Sequence, residues 1–213
     1  MEITYHILQK DQLIYKLPEF NYTKPQDENN PKEPHKLAVY IAGGAVRDSL
    51  FGERFSDIDI FGLTKEDLDI FVKLNLTKHH GYKLVYFNDN LRTYKKGNTK
   101  VQVIYREYTS IQAILNEFDF TVTQFAFDGD VVICNPQSIL DVHHKRIVIN
   151  NINPLYVLDT VRRVQKYIQK GYSICNGGIK DILDKARNIT QEEYDQNIEF
   201  YPNTEEMRII RFD

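Results

Sequence analysis

Residues 37–42, Leu-Ala-Val-Tyr-Ile-Ala, form a continuous apolar run that stops at Gly43-Gly44. A short run of this kind, ended by two glycines, predicts a buried strand leading into a sharp turn. Val46 and Leu50 then fall four apart on one helical face, and Gly52 stands where a helix C-terminus favours left-handed backbone. From Ser56 to Phe61 the pattern changes to period two, sending Asp57 and Asp59 to one side of a strand and Ile58 and Ile60 to the other. Thr64 then precedes Lys65-Glu66-Asp67, a capping hydroxyl followed by acids in a first helical turn, with Leu68, Phe71, Val72 and Leu76 as the apolar stripe. Three strand-like runs at 83–87, 91–95 and 99–105 are divided by Asn88-Asp89-Asn90 and Lys96-Gly97-Asn98. Turn clusters between alternating runs predict a meander.

Further along, residues 110–118 read as a helix and 120–127 as an alternating strand. Asp128-Gly129-Asp130 is a hairpin turn with a returning strand at 131–134, and Pro136 opens a short helix over 136–140. Asn153-Pro154 starts the longest helix, to about residue 170, with Pro154 in its first turn and Gly171 past its end. Its apolar face runs Val157, Val161, Val164, Ile168, and its polar face carries Arg162, Arg163, Lys166 and Lys170. That basic stripe is either a solvated face balanced by Asp159 or a surface for RNA or a nucleotide tail. A short helix over 179–187 follows, then a polar tail whose apolar residues are Met207, Ile209, Ile210 and Phe212. At the other end, residues 3–17 mix strand and helix spacing and carry no assignment, while Pro18, Pro25, Pro31 and Pro34 among polar residues make 18–34 a loop.

The 213 residues suffice for one domain with a sizeable core. A net charge of −3 argues against a protein that coats nucleic acid, since broad phosphate binding needs a basic surface. Cys134 and Cys175 lie far apart and outside metal-binding spacing, which fits reduced thiols and a cytoplasmic location. Neither a signal peptide nor a membrane-length apolar run is apparent, so no membrane partner is expected.

The chemistry concentrates in residues 43–59. At a strand-to-helix turn, Gly43 and Gly44 either serve backbone geometry alone or let free N–H groups hold a phosphate. Asp57 and Asp59, held side by side, repel each other unless a cation intervenes or one keeps its proton. Mg²⁺ prefers such oxygen ligands, and two ions can clamp the attacking and leaving oxygens of a phosphoryl transfer. Taken alone, the pair also fits an exposed strand edge.

The combination Gly43-Gly44-x-x-Arg47-Asp48, then Leu50-Phe51-Gly52, then Ser56-Asp57-x-Asp59 resembles the head-domain signature of poly(A) polymerases and CCA-adding tRNA nucleotidyltransferases, members of the polymerase-beta-like nucleotidyltransferase superfamily. The resemblance covers about 37–172 and implies an α/β fold of that superfamily, a mixed sheet with flanking helices. Three regions are then expected: an N-terminal segment with a Pro/Asn-rich loop (1–36), the head domain (37–152) and a C-terminal helical segment (153–213). By the same resemblance Gly43 and Gly44 contact the triphosphate, Arg47 and Asp48 order the nucleotide pocket, and catalytic Asp57 and Asp59 bind one or two Mg²⁺ ions. Asp119, in Asp119-Phe120-Thr121-Val122, matches a second motif and is a candidate contact to sugar or metal, or else caps a local turn.

The expected reaction is transfer of a nucleoside monophosphate from a nucleoside triphosphate to an acceptor hydroxyl. RNA or tRNA is the first acceptor, with a protein or small molecule, or nucleotide binding without turnover, as alternatives. Departures from the family pattern bear on this choice. Gln102 stands where a third carboxylate is expected, and Glu117 and Phe118 replace two arginines of the second motif, with Thr123 in place of its asparagine. Val148 replaces an arginine of the third, and Ile152-Asn153-Pro154-Leu155-Tyr156 lacks the base-selecting Glu-Asp-x-x-Arg. His143-His144 lacks the spacing of a chelating pair.

Overall fold

A computed structural model describes residues 5–24, 35–55 and 57–190. Ser56, the prolines of 25–34 and the apolar residues of the 207–212 tail lie outside the described residues. The strands are β1 (His6–Gln9), β2 (Val39–Ala42), β3 (Asp57–Gly62), β4 (Lys83–Phe87), β5 (Leu91–Lys96), β6 (Thr99–Ile104), β7 (Phe125–Phe127), β8 (Val131–Cys134), β9 (Arg146–Ile147) and β10 (Ser173–Ile174). The helices are α1 (Gly44–Leu50), α2 (Lys65–Asn75), α3 (Ile111–Asn116), α4 (Pro136–His143), α5 (Val157–Gln169) and α6 (Asn176–Arg187). β1 to β8 form one sheet in the order β1-β8-β7-β2-β3-β6-β5-β4, and β9 pairs with β10 apart from it. All neighbours in the large sheet are antiparallel except β3 and β6, so the fold is the expected mixed α/β arrangement.

Local chemistry explains most boundaries. Thr64 caps α2 by accepting from the Asp67 N–H at 3.1 Å, Ser110 caps α3 from the Ala113 N–H at 3.2 Å, and Asn135 caps α4 with Pro136 in its first turn. The meander β4-β5-β6 follows the turn clusters as expected. On one face of the sheet Ile58 and Ile60 join Val46, Leu68 and Phe71 in the main core. On the other, Phe61 and Tyr40 pack with Ile114, Leu115 and Phe118. Period-two alternation along β3 therefore serves two cores, with the aspartates at the outer end of the second.

Two expectations are corrected. The strand placed at 120–127 is only Phe125–Phe127, because Thr121–Thr123 winds into a 3-10 turn. The Thr121 N–H donates to the Val148 carbonyl at 3.1 Å and not to the large sheet, and its side chain reaches the fully buried Asp141, which also accepts from Arg146 Nε and, at 2.8 Å, from Gln137 Nε2. The apolar face of α5 is also turned. Val157, Thr160 and Tyr167 are buried whereas Val161 and Ile168 are exposed, because Thr160 and Tyr167 bond to groups of the domain.

Candidate nucleotide site

β3 is the source of the site. Its ladder with β2 sets Asp59 beside Ala42, and its parallel ladder with β6 sets Asp57 beside Lys100 and Asp59 beside Gln102. The ladder with β2 ends at Ala42, which runs directly into the Gly43-Gly44 turn, so the turn and Asp59 lie at the same end of the sheet. The expectation that Gln102 stands beside the pair is met in the register: the third position is neutral and offers only a carbonyl oxygen.

Burial and the nearby charge of Asp57 push the Asp59 carboxyl up to about 6, and Lys100, Arg163 and Lys166 act in the opposite direction. Asp57 is more exposed, with Lys100 Nζ 3.5 Å from its Oδ2. Asp57 and Asp59 are the residues that could hold a hard divalent ion, a class that takes oxygen ligands and often keeps water or phosphate in its other positions. Among the described residues no group of three or more His, Cys, Asp or Glu gathers to hold a metal.

The two glycines differ. Gly43 has φ of +87° and its N–H donates to the Phe125 carbonyl at 2.8 Å, so that donor belongs to the sheet and not to a phosphate. A Cβ on Gly43 would meet the Phe118 ring at 3.3 Å. Gly44 is the half-exposed member, and it begins α1, where first-turn N–H groups have no intrahelical acceptor. Phe118, in place of an arginine, lays an apolar ring over the turn and against Phe61, with ring centres 5.7 Å apart.

Arg47 and Asp48 lie behind the turn, 3% and 5% exposed. Arg47 Nε donates to Asp48 Oδ1 at 2.7 Å, Nη2 reaches the same oxygen and Nη1 reaches the Tyr167 hydroxyl. Both side chains are buried, and their bonds tie α1 to α5. Asp119 does not cap its own turn. Its Oδ2 accepts from Thr160 Oγ1 at 2.9 Å and from Arg163 Nη1 at 2.7 Å, which pins α5 to the domain. Two further α5 basic residues are also tied, Arg162 to Asp159 at 3.5 Å, and Lys170 to Asp48 at 3.4 Å and Glu53 at 3.8 Å. Lys100, Arg163 and Lys166 are the residues that sequence reasoning did not bring to the carboxylates. For Lys100 the signal was available, two positions before Gln102 on the same face of its strand.

The family model for Gabija anti-defense 2 family proteins (Gad2) matches residues 15–145. "Gabija anti-defense 2" of Bacillus phage SPbetaL7 is 24% identical over 164 residues, which cover 73% of this chain and 39% of that protein. The chain thus spans well under half the length of that relative. Among solved structures, the Thermotoga maritima CCA-adding enzyme complexed with tRNA superposes with a TM-score of 0.52 at 21% identity, covering 78% of this chain and 43% of that one. A CCA-adding enzyme with CTP gives 0.53 at 24%, over 76% and 43%. A tRNA nucleotidyltransferase complexed with a primer tRNA and an incoming ATP analog gives 0.52 at 19%, over 77% and 52%. These structures share the nucleotidyltransferase fold with this chain.

Proposed function

This chain belongs to the Gabija anti-defense 2 family, and on that footing we propose that it transfers a nucleoside monophosphate from a nucleoside triphosphate to an acceptor hydroxyl, with Mg²⁺ held by Asp57 and Asp59. The observation that carries the reading is the pair of carboxylates on one face of β3, with Asp59 paired to Ala42, the residue before the glycine turn. The acceptor oxygen attacks the α-phosphorus. An oxygen–phosphorus bond forms, the bond to the β-phosphate bridge breaks, pyrophosphate leaves with the electron pair, and the hydroxyl proton passes to water. Mg²⁺ bound at the pair supplies charge neutralisation for that substitution. The chain's own groups position the reactants: Gly44 and the first-turn N–H groups of α1 face the phosphates, and Arg163 and Lys166 add positive charge near Asp59.

The anti-defense family and the net charge of −3 favour a protein of the Gabija defense as the acceptor. An RNA 3′ end is the second reading, supported by the likeness to CCA-adding enzymes and opposed by the missing Glu-Asp-x-x-Arg stretch. The test is incubation with each α-³²P-labelled ribonucleoside triphosphate, Mg²⁺, and either RNA or Gabija proteins. Label on a Gabija protein supports the first reading and label on RNA the second. Absence of label from both, or label unchanged in an Asp57→Asn, Asp59→Asn double variant, refutes catalysis at this site.

A further inference from the structure

The parallel ladder of β3 with β6 carries more than a neutral third position. It places Lys100 beside Asp57 and Gln102 beside Asp59, and neighbouring positions in a sheet direct their side chains to the same face. The Lys100 ammonium lies 3.5 Å from the Asp57 carboxylate, with side chains 32% and 49% exposed. Two divalent ions held 3.5–4 Å apart repel strongly, and a site that holds both needs several carboxylates between them. Here the pair carries two negative charges, Lys100 offsets one of them, and Gln102 adds none.

We infer that Lys100 is the resident cation of Asp57, so that the site takes one divalent ion per chain rather than two and takes it weakly until a nucleotide is present. The inference rests on the metal-dependent reading above. A divalent ion arriving alone competes with Lys100 for Asp57. A triphosphate brings its own negative charge, gives the ammonium another partner, and so frees Asp57 for the metal. Metal and nucleotide therefore bind cooperatively, and Lys100 is the positioning residue that couples them.

Mn²⁺ is the probe, counted by the loss of its free electron paramagnetic resonance signal on the full chain, with and without a non-hydrolysable α,β-methylene triphosphate. One Mn²⁺ per wild-type chain is expected, bound more tightly with the analogue than without it. Lys100→Met should bind Mn²⁺ alone roughly fivefold more tightly, the upper end for release of an exposed ion pair. Lys100→Arg, which keeps the charge, should match wild type, and Lys100→Met with Gln102→Glu should bind a second ion. Two ions on the wild type, or no tightening in Lys100→Met, overturns the inference. Failure of the underlying reading is distinguishable: an Asp57→Asn, Asp59→Asn double variant would then retain the wild-type Mn²⁺ affinity.

Discussion

The guanidinium of Arg47 donates to the hydroxyl of Tyr167 and lies 5.1 Å from the centre of that ring, joining α1 to α5 across 120 positions of the chain. Asp48 receives the rest of the guanidinium, so three buried side chains close one network, and the exposed Lys170 stands 3.4 Å from the other Asp48 oxygen at its rim. Removing one partner of a buried pair leaves the other uncompensated. Arg47→Ala is therefore expected to cost about 3–5 kcal/mol. Tyr167→Phe, which loses one hydrogen bond to a charged group, should cost about 1.5–3 kcal/mol. Urea unfolding followed by circular dichroism measures both, and a near-neutral Arg47→Ala would show that the network does not hold α1 to α5.

The glycine turn separates folding from binding. Gly43→Ala forces a side chain into left-handed backbone and against Phe118, and should destabilise by about 1–2 kcal/mol. At Gly44 a Cβ would meet only Arg47 Nη2, at an ordinary 3.6 Å, so Gly44→Ala should leave stability within about 0.5 kcal/mol of wild type. Calorimetric titration with each ribonucleoside triphosphate should nonetheless show weaker binding in Gly44→Ala. Unchanged affinity there would remove the turn from the phosphate site.

Asp59 sets a pH dependence of known sign. Its carboxyl titrates near 6 in the folded protein, above the ordinary carboxylate value of 3.8, so the folded state binds the extra proton between those values. Stability of the metal-free protein then falls as pH rises from about 4 to about 6 and stays lowered above it. Asp59→Asn removes this contribution and should raise the melting temperature at pH 7 but not at pH 4. Mn²⁺ affinity, which needs the deprotonated group, should weaken in the wild type as pH drops below about 6. Melting curves at the two pH values and a pH series of Mn²⁺ titrations test the two halves separately.

Both cysteines are free, and they differ in access. Burial pushes the Cys134 thiol up to about 11, whereas Cys175 is exposed at the start of α6, its sulfur accepting from the Gly178 N–H at 3.5 Å. A maleimide should label Cys175 in the native protein and reach Cys134 only after unfolding. Mass spectrometry of digests counts the two, and native labelling of Cys134 would contradict the packing of β8.

Local signals were legible in the chain and distant ones were not. The limits of β4, β5 and β6 follow from Asn88-Asp89-Asn90 and Lys96-Gly97-Asn98, because turn residues act on their own neighbourhood. The two faces of β3 follow from alternation alone. What eluded the pattern depends on partners far along the chain. Thr121 leaves the expected strand for Val148 and Asp141, and α5 turns its face because Tyr167 meets Arg47 and Thr160 meets Asp119. Lys100 is intermediate: its place on the Gln102 face of the strand follows from alternation, but its approach to Asp57 depends on the parallel pairing of β3 with β6.

That same parallel pairing governs when the site can exist during synthesis. β2 is already made when β3 leaves the ribosome, and the antiparallel pair can close at once. The other side of β3 stays open until β6 emerges, after α2 and two further strands, and α5, which carries Arg163 and Lys166, comes later still. Long-range pairing of this kind closes slowly and exposes strand edges while it waits. A ribosome stalled before residue 100 would thus display both aspartates without Lys100 or Gln102, and the nascent chain would carry a carboxylate pair whose charge nothing yet answers.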